Sequence, residues 1–208
     1  MTDDLLVPVF DIGGVMFDWN PLYLYRKLFE TEEEAVWFCE NVCTPDWNIG
    51  LDAGADYAKA VARKCAEFPR YWREIQAFDT RWGEMNGGII EGTVAIHDEL
   101  VAAELPTFAI TNFSWEKWVG SLGAFPFFEK FDGVVVSGLE GLVKPDPRIF
   151  NLFLNRYGLA AESCVMIDDN AINIAAAKAL GFKTVHFASP AQCRAELIAF
   201  GLPLKAKG

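Results

Sequence analysis

The strongest constraint in this chain is an alternation. Five short apolar runs, at residues 5–12, 106–110, 131–137, 163–167 and 183–187, carry mainly branched and aromatic side chains. Unbroken runs of that length suit strands buried on both faces, since a strand with one wet face alternates apolar with polar residues. Helical patterns separate the later runs, at 93–105, 114–123, 146–157, 171–180 and 190–200. In 146–157, Ile149, Phe150, Phe153, Leu154 and Tyr157 recur at helical spacing and Gly158 stops the pattern. Pro8 fits the first run only near the start of its strand.

Strand and helix repeated in this order predict an α/β fold, a Rossmann-like parallel sheet with helices on both faces. Residues 17–92 break the alternation. They show helical patterns, no convincing strand and five of the tryptophans, Trp19, Trp37, Trp47, Trp72 and Trp82. The expected organisation is therefore a core of 1–16 and 93–208, with 17–92 inserted after the first strand as a helical cap. Gly87-Gly88 and Gly92 are natural positions for the returning linker. Thr31 followed by Glu34 fits a capping box, which accounts for the acidic run around it.

The 208 residues carry 18 basic and 29 acidic side chains, a net charge of −11. Such a surface excludes nonspecific binding to nucleic acid or anionic membrane. No run approaches the roughly 20 apolar residues of a membrane span. Met1-Thr2-Asp3-Asp4 lacks the basic residues of a secretory leader. The five cysteines, Cys39, Cys43, Cys65, Cys164 and Cys193, form no framework, and Cys39 and Cys43 have no second ligand pair for zinc. The expectation is a reduced, cytoplasmic protein, with monomer and homodimer both open.

In an open parallel sheet, ligands bind beyond the carboxyl ends of the strands. Those ends carry Asp11, Thr111-Asn112, Ser137 with the loop to Lys144, and Asp168-Asp169. Three acids converging there repel one another, and a divalent cation with a nearby lysine relieves the repulsion. An oxygen-rich site open to water suits Mg²⁺. Gly13-Gly14 lets backbone N–H groups approach an anion. His97 and His186 fall in helix and strand bodies, so structural roles are expected for both, outside the site.

FDIGGV at 10–15, ITN at 110–112, GLVKPDP at 141–147 and MIDDN at 166–170 resemble, in order and spacing, the four motifs of the haloacid dehalogenase superfamily. KPDPRIF resembles the branch that holds small-molecule phosphatases and 2-haloacid dehalogenases. The resemblance implies roles. Asp11 is the nucleophile that forms an aspartyl ester. Thr111 bonds the transferring group, while Asn112 and Gly14 contact substrate. Lys144 neutralises charge and orients Asp11. Asp11, Asp169, Asp168 (directly or through water) and the Gly13 carbonyl hold Mg²⁺. The partner implied is a small, phosphorylated substrate.

One position departs from that pattern. The family's phosphatases place a second Asp two residues after the nucleophile, as acid and base for the leaving group and water. Here that position is Gly13. Three explanations stand open: another carboxylate, such as Asp18 or one from the cap, substitutes; the substrate has a good leaving group; or the chemistry is not phosphoryl transfer. Metal-free 2-haloacid dehalogenases also lack that Asp, but carry hydroxyl residues where this chain has Asp168-Asp169, and a halide-cradling arginine for which Arg26 and Arg81 are candidates by composition. A Mg²⁺-dependent phosphatase is the leading expectation. A dehalogenase or a non-catalytic binding protein on the same fold are the alternatives. Among the aromatics, Trp19, Trp47, Trp82 and Trp115 are candidates to face the substrate.

Overall fold

The computed structural model describes residues 6–206. The acidic start and Leu5, the first residue of the first apolar run, lie outside the described residues.

All five apolar runs form strands of one parallel sheet: β1 (Val7–Phe10), β4 (Phe108–Thr111), β5 (Gly133–Val136), β6 (Cys164–Asp168) and β7 (Lys183–His186), in the order β5-β4-β1-β6-β7. β1 is central, and Pro8 is tolerated there because pairing with β4 begins only at Val9. Side-chain alternation sends each strand's residues to two cores. Phe10, Ala109, Val165 and Ile167 join Ile96, Leu100 and Leu197 on one face. Val9, Ile110, Cys164 and Met166 join Ile149, Phe150 and Phe153 on the other. The helices that cover these faces are α6 (Glu91–Ala102), α7 (Trp115–Ser121), α8 (Ser137–Glu140), α9 (Pro147–Tyr157), α10 (Ala171–Ala179) and α11 (Pro190–Ala199). Gly158 caps α9 in the left-handed conformation that its pattern implied.

Between β1 and α6 lie α1 (Leu22–Tyr25), α2 (Glu32–Asn41), α3 (Pro45–Asp52), α4 (Tyr57–Glu67) and α5 (Trp72–Thr80). They bury their own cluster, including Tyr25, Phe38, Leu51, Ile75 and Phe78. Thr31 caps α2 by accepting a hydrogen bond from the Glu34 amide at 3.2 Å. The segment also contains a strand pair that the sequence did not suggest. β2 (Phe17–Trp19) and β3 (Asn86–Ile89) run antiparallel and clip its two ends together. Gly87 and Gly88 thus belong to a strand and not to a linker. The signal was weak because the strands have three and four residues and lie far apart in the chain, and because glycine disfavours strand interiors.

Candidate active site

β1 marks the point where the sheet's connections reverse, with β4 and β5 on one side and β6 and β7 on the other. A crevice opens beyond the carboxyl end of such a strand. Asp11 emerges there, its amide bonded to the Ile167 carbonyl at 2.8 Å. One carboxylate oxygen, Oδ1, accepts from the Ile12 amide at 2.7 Å, and Oδ2 lies 2.8 Å from the Lys144 ammonium.

Lys144 is the electrostatic hinge of the site. Its ammonium is fully buried and also bonds Asp168 Oδ2 at 2.6 Å. Burial works to lower its pKa, but the Asp11 and Asp168 carboxylates outweigh that and raise it, so the lysine stays charged. Its backbone is held too: the Asn112 amide donates to the Lys144 carbonyl at 2.9 Å and accepts from its N–H at 2.8 Å. Asn112, expected as a substrate contact, lines the cavity and positions Lys144 as well.

The two acids after β6 differ. Asp168 is fully buried, bonded to Lys144, to the Asn170 amide at 2.8 Å and to the Asn173 side chain at 3.1 Å. Asp169 lines the cavity beside Asp11. Gly14 lets it do so: at φ +74°, a Cβ on Gly14 would lie 2.3 Å from Asp169 Oδ2. Asp11, Asp168 and Asp169 each offer a carboxylate oxygen within 4.8 Å of the others. Burial pushes Asp11 up to about 7 against the pull of Lys144, with Asp168 and Asp169 pushing further. Asp169 is also raised, by burial and by Asp168. Thr111 ends β4 with its hydroxyl buried and, among the described residues, without a hydrogen-bond partner, though it is not part of the cavity lining.

Above these groups is a cavity of about 200 Å³. Asp11, Gly13, Gly14, Asn112 and Asp169 form its floor, and Phe17, Trp19, Trp82 and Phe113 give apolar wall. Trp47 packs on Phe78 instead, and Trp115 is exposed, so neither reaches the cavity. Arg26 and Arg81 are absent from its lining and pair with Glu32 and Glu84. Asp18 bonds the Tyr23 hydroxyl. Ser137 accepts from the Phe113 amide at 2.9 Å and donates to the Asp52 carbonyl at 2.6 Å, joining α3 to the sheet. His97 is a core residue, stacked on Phe131 and 2.9 Å from the Thr107 hydroxyl. His186 is nearer the site than its place in a strand suggested, its ring 3.0 Å from the Asp169 carbonyl.

Sequence reasoning did not name Asn48, Asp52, Ser114 or Asn173. The first three line the cavity, two of them from α3. Asn173 had a signal, since it sits in the first turn of α10, just past the Asp168-Asp169 pair that it could reach back to. Asn48 and Asp52 had none.

The family model of haloacid dehalogenase-like hydrolases matches residues 9–181. The chain belongs to that family. A sesquiterpene phosphatase of Aspergillus oryzae is 23% identical over 189 residues, 86% of this chain and 87% of that protein. Acyl-CoA dehydrogenase family member 10 of Mus musculus is 43% identical over 77 residues, 36% of this chain but only 7% of that much longer protein. A haloacid dehalogenase family enzyme of Bacteroides thetaiotaomicron, solved with magnesium and inorganic phosphate, superposes with a TM-score of 0.65 at 18% identity, over 89% of this chain and 95% of that one. At that identity the likeness establishes the shared fold. The haloacid dehalogenase family thus accounts for the sheet order and for the motifs at its carboxyl edge.

Proposed function

We propose that this hydrolase cleaves small phosphate monoesters through an aspartyl-phosphate on Asp11, with Mg²⁺ as cofactor. One observation carries the reading: three carboxylates, Asp11, Asp168 and Asp169, share a cluster with a single ammonium, Lys144. A hard, all-oxygen donor set with that excess of negative charge fits Mg²⁺. Asp11, Asp169 and the Gly13 carbonyl would hold the ion, with Asp168 behind them through a water. When bound, the ion neutralises charge on the phosphoryl oxygens.

The remaining steps belong to the chain. Lys144 fixes the Asp11 carboxylate and favours the ionised form that attacks phosphorus. The Thr111 hydroxyl donates to a phosphoryl oxygen, and the Gly13-Gly14 backbone lies close to the same group. Residues 17–92 act as a lid that supplies Phe17, Trp19 and Trp82 to the wall of the cavity. A cavity of about 200 Å³, below the about 300–1,000 Å³ of common ligand pockets, favours a short organic body against Phe17, Trp19, Trp82 and Phe113. Among the described residues no helix is long and apolar enough to cross a membrane, and the five thiols are free. Both fit the cytoplasmic placement we infer.

The dehalogenase alternative has the geometry against it. Asp169 beside Asp11 repels an anionic haloacid, and among the described residues no arginine lines the cavity. The test is a panel of phosphate esters and 2-haloacids, each with Mg²⁺ and with EDTA. Phosphate release that EDTA abolishes is expected. Halide release that EDTA leaves intact, with no phosphate release, would overturn the proposal.

A further inference from the structure

Gly13 leaves the leaving group without an acid, and the cavity holds one carboxyl that the site has not used. It belongs to Asp52, the last residue of α3, which faces the same cavity as Asp11 and Asp169. We propose that Asp52 is the acid that protonates the departing alkoxide and the base that then activates water, a role that rests on the phosphatase reading above.

Three observations converge on it. Its placement is fixed against the sheet: its carbonyl accepts from the Ser137 hydroxyl at 2.6 Å. Two residues on, Gly54 passes so close that a Cβ there would lie 2.8 Å from the Gly138 carbonyl oxygen. Its side chain is aimed by neutral partners, the Asn48 amide at 3.0 Å and the Ser114 backbone amide. Finally, no cation sits on it. Lys117, the basic residue of the neighbouring α7, is engaged by Asp79 and lies over the Tyr57 ring. Tyr57 in α4, whose phenol Asp52 helps to push up, and Asp11 and Asp169 across the cavity are the titratable groups that face it, and none brings a positive charge. Burial accordingly pushes the Asp52 carboxyl up to about 7, against the pull of the Ser114 amide, so it can carry a proton at neutral pH. Asp18 cannot compete for the role, because its carboxylate is bonded to the Tyr23 hydroxyl and lies outside the cavity lining.

The steps balance. As an Asp11 oxygen bonds to phosphorus, the phosphorus–alkoxide bond breaks and the Asp52 O–H gives its proton to the alkoxide, which leaves as the alcohol. Asp52, now a carboxylate, takes a proton from water as that water attacks phosphorus. The bond between phosphorus and the Asp11 oxygen breaks, phosphate leaves, and Asp52 is again protonated.

The experiment compares two substrates in a single turnover with Mg²⁺: an alkyl phosphate, whose alkoxide needs a proton, and p-nitrophenyl phosphate, whose phenolate does not. In Asp52→Asn, transfer from the alkyl ester falls by about 10²-fold or more, while the p-nitrophenolate burst keeps its wild-type rate. The fall in wild-type alkyl transfer as pH rises past neutrality also disappears. An equal loss on both esters, or a pH limb that survives the substitution, overturns the assignment. Should Asp52→Asn fail to fold, Asn48→Ala carries the test. It leaves the carboxyl but removes its side-chain amide partner, so the limb moves to higher pH; an unmoved limb overturns the role. A wild-type protein that transfers from neither ester with Mg²⁺ would instead sink the phosphatase reading itself.

Discussion

The sheet and the segment from Phe17 to Ile89 build one cavity by different means. Sheet residues are held several times over. Asp168 is fastened by Lys144, Asn170 and Asn173, and Lys144 by Asp11, Asp168 and both polar atoms of Asn112. These groups stand on loops anchored in a five-stranded parallel ladder. The inserted segment packs on a core of its own and reaches the cavity through Trp19, Asn48, Asp52 and Trp82. It is fastened by few polar contacts, such as Ser137 to Asp52 and Lys117 to Asp79. The carboxylates and lysine at the centre of the proposed chemistry sit where the backbone fixes them, and among the proposed catalytic groups Asp52 alone comes from the inserted segment. The apolar groups Trp19 and Trp82 sit on an element with a core of its own.

The contrast is tested most severely at Lys144. Lys144→Met leaves Asp11 and Asp168 facing each other in a buried site. Loss of one partner of a buried pair costs about 3–5 kcal/mol, and in a domain of this size that lowers Tm by roughly 10 °C. Thermal melts check it. A loss no larger than that of a substitution in the inserted segment, such as Trp82→Ala, would break the comparison.

Asp11 is next, and there stability and activity move in opposite directions. Asp11→Asn is expected to lower turnover by about 10³-fold or more, read as phosphate release. In the metal-free protein it should raise Tm at pH 8. The folded-state pKa of Asp11 is raised from 3.8 to about 7, so between those values the folded state holds a proton that the unfolded chain has lost. Stability therefore declines as pH rises through that window and is lowest above it. The substitution removes the decline. Melts of both proteins from pH 4 to pH 8 show it as two curves that separate with rising pH; parallel curves would refute it.

Much of the sheet side was legible in the sequence, and the reason is physical. An apolar run buried on both faces must end where the chain leaves the core, so a polar residue at that boundary is placed by the strand before it. Asp11, Thr111, Asp168 and Asp169 were found in this way, and Lys144 through its motif. Asp52 was invisible because a carboxylate at the end of an amphipathic helix reads as solvated. Only the docking of α3 on Ser137 turns it into the cavity. The strand pair β2–β3 escaped for a related reason, since each half depends on a partner about 70 residues away.

At the aromatic wall of the inserted side, away from Asp52, the expected effects are smaller and fall on binding. Trp82 walls the cavity and packs on Phe113, with ring centroids 5.5 Å apart. Trp82→Ala should raise KM by about tenfold, equal to about 1.4 kcal/mol, with kcat nearly unchanged. Steady-state kinetics on the best ester of the panel decide it. A loss confined to kcat would place Trp82 among the catalytic groups and blur the division between the two sides.

The smallest effect separates two adjacent glycines on the floor. Gly14→Ala should cost about 1–2 kcal/mol for the left-handed backbone alone, and more because the new methyl meets the Asp169 carboxylate. Gly13→Ala should change stability by no more than about 0.5 kcal/mol, because nothing lies within 4 Å of a Cβ built there and its φ needs no glycine. Urea melts of the two variants give the comparison, and an equal loss in both would refute it. The expected inequality bears on the chemistry. If a side chain at position 13 is tolerated, packing does not exclude an acid there. The missing carboxyl is then a matter of where the proton comes from, and on the proposal above the inserted segment supplies it from Asp52.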